Sequence, residues 1–172
     1  MDLHQNTTVT DERNNVVYKS SAKALSLHDT TIIKNAAEAL VAKIERKMLS
    51  FHNRHRITMA DGTVFQYAFE SNFSLKYNIK IDGLGWLLHG DTKSLFIGDS
   101  YSVGFYELYD ADKRIVAVIE RGIEPDAKFY KYRVNIYRPE AETKVVAILT
   151  TLQHINRAAA RTSIPDYIDE SR

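Results

Sequence analysis

The chain of 172 residues contains no cysteine. This absence excludes a disulfide framework, cysteine-ligated zinc, iron–sulfur clusters and a thiol nucleophile. A single domain of this length buries about 70% of the surface that its unfolded chain exposes, so its core needs no covalent staple. Proline and glycine are also scarce, with three and seven residues. Linker-like disorder is therefore not expected.

Excess charge and long apolar runs are missing as well. The 23 Lys and Arg residues nearly balance the 22 Asp and Glu residues, which leaves a net charge of +1 and excludes a generally basic nucleic-acid binder. The longest apolar run, residues 145–152, is far shorter than the roughly 20 residues of a membrane-spanning helix. The polar start resembles no secretory signal. We expect a cytoplasmic protein without a transmembrane segment.

What the sequence does contain is a series of short alternating segments separated by turn signals such as Asp61-Gly62 and Asp82-Gly83. Polar and apolar residues alternate in them with the period of a half-buried strand. So many short strands would leave many sheet edges, which closure into a barrel removes. Strands are predicted at 23–27, 30–34, 39–47, 54–59, 63–69, 74–81, 84–89, 94–97, 101–109, 114–121 and 128–138.

One segment, residues 140–160, has the composition of a helix instead. Pro139 suits the first helical position. With about 100° of rotation per residue, the apolar run from Val145 to Leu149 covers the whole circumference, and a helix that is apolar all round is buried. The lumen of a barrel would bury it, whereas packing across one barrel mouth is the alternative. The predicted core residues of this helix are Val145, Ile148, Leu149, Leu152 and Ile155.

Two parts of the chain also repeat each other. The segment LVAKIERK at 40–47 recurs as IVAVIERG at 115–122, and HRIT at 55–58 aligns with YRVN at 132–135. The pattern predicts two pseudo-symmetric units, at about 30–69 and 105–152, in one domain over 16–160. Residues 1–15 would form a flexible leader or an edge extension, and residues 161–172 a tail.

Together these features resemble the Tubby C-terminal-like superfamily, and most closely its LURP-one-related proteins and their small bacterial relatives. The resemblance lies in residues 34–50, 57–65, 79–86, 106–121 and 132–155. It implies an all-β fold, a closed antiparallel barrel of about twelve strands around a buried central C-terminal helix. Phospholipid scramblases look like distant members of the same superfamily. Tubby domains bind phosphoinositides through a basic surface site, whereas LURP-one-related proteins have no agreed biochemical activity.

A basic cluster is the clearest candidate site. An acidic lipid headgroup or another anion could bind there, since each basic residue near an anionic membrane gives about 1 kcal/mol. Protonation of the histidines below about pH 6.5 would strengthen the contact. A solvated hairpin loop of mixed polarity is the alternative. The cluster consists of Lys47, His52, Arg54, His55 and Arg56.

No catalytic, cofactor or metal motif emerges. His52 and His55 lack the further ligands that a zinc site needs. Gly98-Asp99-Ser100 resembles the start of a serine esterase motif, but the chain lacks the α/β pattern and the later Asp-x-x-His that such an enzyme needs. No nucleotide phosphate loop occurs. The carboxylate pairs Asp110/Asp112 and Glu124/Asp126 fall in turn sequences.

Two arginines add a second feature. Arg46 and Arg121 share strand parity with apolar residues, so alternation points both toward the interior or the barrel rim.

We expect a non-enzymatic binding or scaffold module that contacts acidic phospholipid or a protein partner. The alternative is a small-ligand-binding protein or enzyme with its site at a barrel mouth.

Overall fold

The computed structural model describes residues 6–25, 28–46, 55–69, 77–90, 104–123 and 130–162. Within these ranges the chain forms one antiparallel sheet, a 3-10 turn at Pro139–Ala141 and a C-terminal helix, α1 (Glu142–Thr162). The strands are β1 (Thr7–Thr10), β2 (Val16–Leu25), β3 (His28–Asn35), β4 (Leu40–Arg46), β5 (His55–Met59), β6 (Val64–Phe69), β7 (Tyr77–Asp82), β8 (Trp86–Gly90), β9 (Gly104–Tyr109), β10 (Ile115–Ile123) and β11 (Tyr130–Ile136).

The sheet is a meander in which every strand pairs with its neighbours in sequence, from β1 to β11. The all-β antiparallel class with one C-terminal helix is thereby confirmed. Over the described ranges the sheet has eleven strands and no hydrogen-bonded pairing of β1 with β11. The strand predicted at 94–97 lies outside those ranges. Within residues 1–15 the structure places β1, which pairs with β2.

Antiparallel order divides the molecule into two ends. At the turn end, tight hairpins join each odd-numbered strand to the next even-numbered one, from β1–β2 to β9–β10. At the opposite end, here called the loop end, the chain leaves β4, β6, β8 and β10 and returns at the following strand. Three of the hairpin turns are built alike, with a side-chain oxygen of Asp11, Asn35 or Asp110 accepting two backbone N–H bonds.

The internal repeat has a structural counterpart in the strand registers. Glu45 of β4 faces Arg56 of β5, and Glu120 of β10 faces Arg133 of β11. The two units also share a β-bulge, since the register skips Val41 between β3 and β4 and Val116 between β9 and β10. Equivalent sequence positions therefore occupy equivalent places in the sheet.

Helix α1 packs against the inner face of this sheet. Nine consecutive residues, 145–153, are at most 9% exposed, so the helix is buried all round over more than two turns. The hydroxyl of Tyr18 on β2 donates to Glu142 Oε1 at 2.8 Å, and that of Thr7 on β1 donates to Gln153 Oε1 at 2.6 Å. Strands β4, β5 and β11 pack on the helix as well. The meander thus curls round α1, and its first and last strands both reach the helix.

The inner face supplies the rest of the core. Successive residues of a strand point to opposite faces, so one side chain in two meets the helix. The residues predicted for the helix core are placed as follows: Val145, Ile148, Leu149 and Leu152 are buried, and Ile155 is half-buried against the core. The largest inner-face contributors from the strands are Ile33, Ile44, Ile57, Phe65, Tyr67, Ile79, Ile81, Leu88, Tyr106, Leu108 and Ile119.

Candidate functional site

The predicted basic cluster is only partly visible. Lys47, His52 and Arg54 lie outside the described residues. His55 and Arg56 are the first two residues of β5, and they point to opposite faces because strand side chains alternate. His55 is 4% exposed and belongs to the inner face, whereas Arg56 is exposed on the outer face. The two residues therefore do not form one surface patch.

His55 instead belongs to a group of inner-face polar side chains near the loop end. It lies between Arg46 and Tyr67 in one cross-strand row over β4, β5 and β6. In the second unit, Arg121 of β10 faces Tyr132 of β11 in the position equivalent to that of Arg46 and His55. We call Arg46, His55 and Arg121 the inner basic group.

Burial distinguishes the members of this group. Arg121 is 6% exposed and Arg46 is half-buried. A guanidinium in such surroundings requires partners that stabilise its charge. Each of the three basic side chains does interact with other groups of the protein. The strand parity of Arg46 and Arg121, visible in the sequence, predicted that both face the interior or lie at the barrel rim.

Carboxylates accompany the arginines on the outer face of the sheet. On the outer face, Glu45 lies opposite Arg56 and forms an ion pair with Lys43 at 2.7 Å. Glu120 lies 3.9 Å from Arg133 across the equivalent pair of strands. The outer-face arginines near the loop end are thus each accompanied by a carboxylate of the neighbouring strand.

A second candidate site lies at the turn end. A groove of about 560 Å³ lies between the β7–β8 turn (82–85) and the β9–β10 turn (110–114), where Trp86 lines it. Lys80, Leu87 and Tyr109 form a cross-strand row along it, because Lys80 pairs with Leu87 and Leu87 pairs with Tyr109. Its size falls in the range of small-molecule sites.

Several polar groups beside the groove are already engaged. The Asp110 carboxylate accepts the backbone N–H of Arg114 and that of Asp112, each at 2.9 Å, and Arg114 Nε at 3.0 Å. These bonds, the one from the Arg114 backbone foremost, lower the pKa of Asp110. The Tyr109 hydroxyl donates to Glu107 Oε2 at 2.7 Å, and this bond raises the pKa of Tyr109.

The groove could not be found from the sequence. Its row of Lys80, Leu87 and Tyr109 is brought together only by the registers of β7, β8 and β9. Gly98-Asp99-Ser100 and the Glu124/Asp126 pair lie outside the described residues. Over the described part of the chain, no three His, Cys, Asp or Glu residues come together as a metal site, and no helix there is long and apolar enough to span a bilayer.

The architecture is that of an antiparallel sheet curled round a buried C-terminal helix. The family model described as LURP-one-related matches residues 1–153. The chain belongs to the LURP-one-related family, which lies in the tubby C-terminal-like superfamily and is not a known family of enzymes. No curated protein and no solved structure matches the chain significantly.

Proposed function

We propose that this protein is a non-enzymatic cytoplasmic binding module that receives the anionic headgroup of an acidic phospholipid at its loop end. The observation that carries the proposal is the inward placement of the inner basic group, Arg46, His55 and Arg121, near that end. The proposal includes a closed barrel, in which β1 and β11 approach each other around α1 so that the headgroup enters an enclosed mouth.

Charge favours capture at the mouth over flat adsorption on the outer surface. On the outer face, Arg56 lies opposite Glu45 and Arg133 lies near Glu120, so neither arginine adds much net attraction to an anionic membrane. On the inner face, Arg46 and Arg121 lie near the same end of the sheet. An entering phosphate would meet their guanidinium groups there.

The residue types also suit a phosphate. A guanidinium presents donors in a planar fork that matches phosphate oxygens, and such charge-assisted bonds are about twice as strong as neutral ones. The hydroxyl of Tyr67 or Tyr132, each next to a member of the inner basic group, can add a donor.

Vesicle flotation at low salt tests this function. Wild type should float with phosphatidylcholine vesicles that contain phosphatidylserine and remain behind with pure phosphatidylcholine. Arg46→Gln should at least halve the floated fraction. Arg56→Gln is the matched control, because it removes the same charge from the same end of the sheet but from the outer face. Lys34→Gln removes a charge at the turn end and should float as wild type does.

Thermal melting of each variant separates lost binding from lost folding. If Arg46→Gln has a lower melting temperature than wild type, Arg46→Lys replaces it as the test variant, because lysine keeps the positive charge but lacks the planar guanidinium. Equal flotation of Arg46→Gln and wild type would exclude the inner basic group. Loss with Arg56→Gln alone would assign the contact to the outer surface. Stabilisation by glycerol phosphate without flotation would instead identify a soluble ligand at the barrel mouth.

A further inference from the structure

We propose that the groove at the turn end binds a small uncharged molecule that has an apolar body and one hydroxyl group. This site is separate from the loop-end function proposed above, because it lies at the opposite ends of the strands. Neither the family match nor the sequence motifs point to it. The proposal rests on the apolar lining of the groove, on its balanced charge and on the hydrogen bond that engages the Tyr109 hydroxyl.

The lining selects an apolar body. Trp86, Leu87 and Tyr109 line the groove, and each of them is only half-buried. Covering such apolar surface favours binding in proportion to the area removed from water. The volume of about 560 Å³ lies in the range of small-molecule sites and is too small for a folded partner.

The charges around the groove select against an ionic ligand, because they cancel. The described lining carries two ammonium groups and two carboxylates, those of Lys80, Lys113, Asp82 and Asp110. One group of each sign is already engaged, since Asp110 is held by its turn and by Arg114, and Lys80 interacts with another group of the protein. The other two, Asp82 and Lys113, also have opposite charges. A charged ligand would lose hydration here without a net attraction in return.

The Tyr109 hydroxyl selects the polar group of the ligand. It donates to Glu107 Oε2 at 2.7 Å, and this bond raises the pKa of Tyr109, so the phenol keeps its proton and directs it at Glu107. A phenol oxygen whose proton is engaged in this way can still accept a hydrogen bond, and the bond to a carboxylate strengthens it as an acceptor. A ligand hydroxyl in the groove can therefore donate to Tyr109, whereas an ether oxygen cannot.

The chain supplies its own reporter, because Trp86 is its one tryptophan and lines the groove. Menthol and its methyl ether share one apolar body, and only menthol has a donor. Both should change the Trp86 fluorescence saturably, and menthol should bind about three- to tenfold more tightly, as expected for one hydrogen bond. Menthane carboxylate and menthylammonium, which carry a charge on the same body, should both bind more weakly than menthol.

Two substitutions assign the contacts to the groove. Leu87→Ala should weaken menthol and its ether alike, whereas Leu40→Ala, which truncates an exposed leucine on β4, should weaken neither. Tyr109→Phe removes the acceptor, so it should lower the affinity for menthol to that for the ether and leave the ether unchanged. Tyr137→Phe is the matched control, because Tyr137 is exposed after β11 and does not line the groove.

Three results would overturn the proposal: equal affinity of wild type for menthol and its ether, tighter binding of either charged compound, or no saturable response. An unchanged preference for menthol in a folded Tyr109→Phe variant would overturn it as well, and thermal melting establishes that the variant is folded. Vesicle flotation of Tyr109→Phe should equal that of wild type, so the two proposed sites fail independently.

Discussion

Arg46 and Arg121 hold equivalent positions in the two pseudo-symmetric units of the sheet. Each follows a glutamate that faces an arginine of the next strand, and each has its side chain on the inner face. Because the two units share strand register and bulge position, each unit has one arginine whose guanidinium faces the inside of the curled sheet. This relationship is the structural basis of the proposed anion-binding mouth.

Burial of α1 predicts a severe effect of charge at its centre. Leu152→Asp places a carboxylate at a fully buried position and should cost more than about 4 kcal/mol, which is enough to unfold the domain. Thr143→Asp is the control, since Thr143 is exposed in the first turn of the same helix. Chemical denaturation measures both. If Leu152→Asp were as stable as Thr143→Asp, α1 would lie outside the core.

The bond between Tyr18 and Glu142 predicts a pH dependence. Burial, followed by the contact with Glu142, raises the pKa of Tyr18 to about 12. Because the folded pKa exceeds the unfolded value of about 10, the stabilisation is complete below pH 10 and is lost as pH rises toward 12. Tyr18→Phe should lower the free energy of unfolding by about 1 kcal/mol at pH 7 and flatten its decline between pH 10 and 12. Parallel curves for wild type and variant over that interval would contradict this assignment.

Gly83 is predicted to tolerate no side chain. Its φ is +96°, and a Cβ there would lie 2.9 Å from the carbonyl oxygen of Val64. Gly62 also has positive φ, but a Cβ there would meet open space. Gly62→Ala should cost about 1 kcal/mol from backbone strain alone, and Gly83→Ala clearly more. Equal melting temperatures of the two variants would show that the approach to Val64 relaxes without cost.

The Asp110 turn allows a test by conservative substitution. Asp110→Ala removes two bonds to backbone N–H groups together with the contact to Arg114, and should clearly lower the melting temperature. Asp110→Asn should recover most of the loss, because Asn35 makes the same two backbone bonds in the equivalent turn. Since the pKa of Asp110 is lowered, its contribution should persist above about pH 4 and fade below it. An Asn variant as unstable as the Ala variant would show that the carboxylate charge matters more than the turn bonds.

Strong periodicity made much of the fold predictable. The alternation around Ile44 and Ile119 defined strand faces, and it also indicated that Arg46 and Arg121 face inward or lie at the barrel rim. The continuous apolar run after Val145 indicated a helix buried on every side. The local pattern suffices in these cases, because every second residue of a half-buried strand and every residue of a fully buried helix segment must avoid water.

The remainder depended on partners distant in the chain. Strand β2 begins at Val16, well before the segment predicted from residue 23. The alternation pattern did not show this earlier start, because the inner face of β2 carries the polar residue Ser20. Ser20 is buried nonetheless, and its hydroxyl accepts the backbone N–H of Thr7 at 3.2 Å. The groove likewise exists only through the registers of β7, β8 and β9, and the opposite orientations of His55 and Arg56 separated the predicted cluster.

The most direct test of the anion-binding mouth is calorimetric titration with dihexanoyl phosphatidate, a soluble lipid that carries the phosphate without a membrane. Wild type should show saturable heat, and Arg46→Gln should bind about tenfold more weakly, the loss of one charge-assisted hydrogen bond. Arg56→Gln, which removes a charge from the outer face of the neighbouring strand, should match wild type. Equal affinity of Arg46→Gln and wild type, with both proteins folded, would contradict the account.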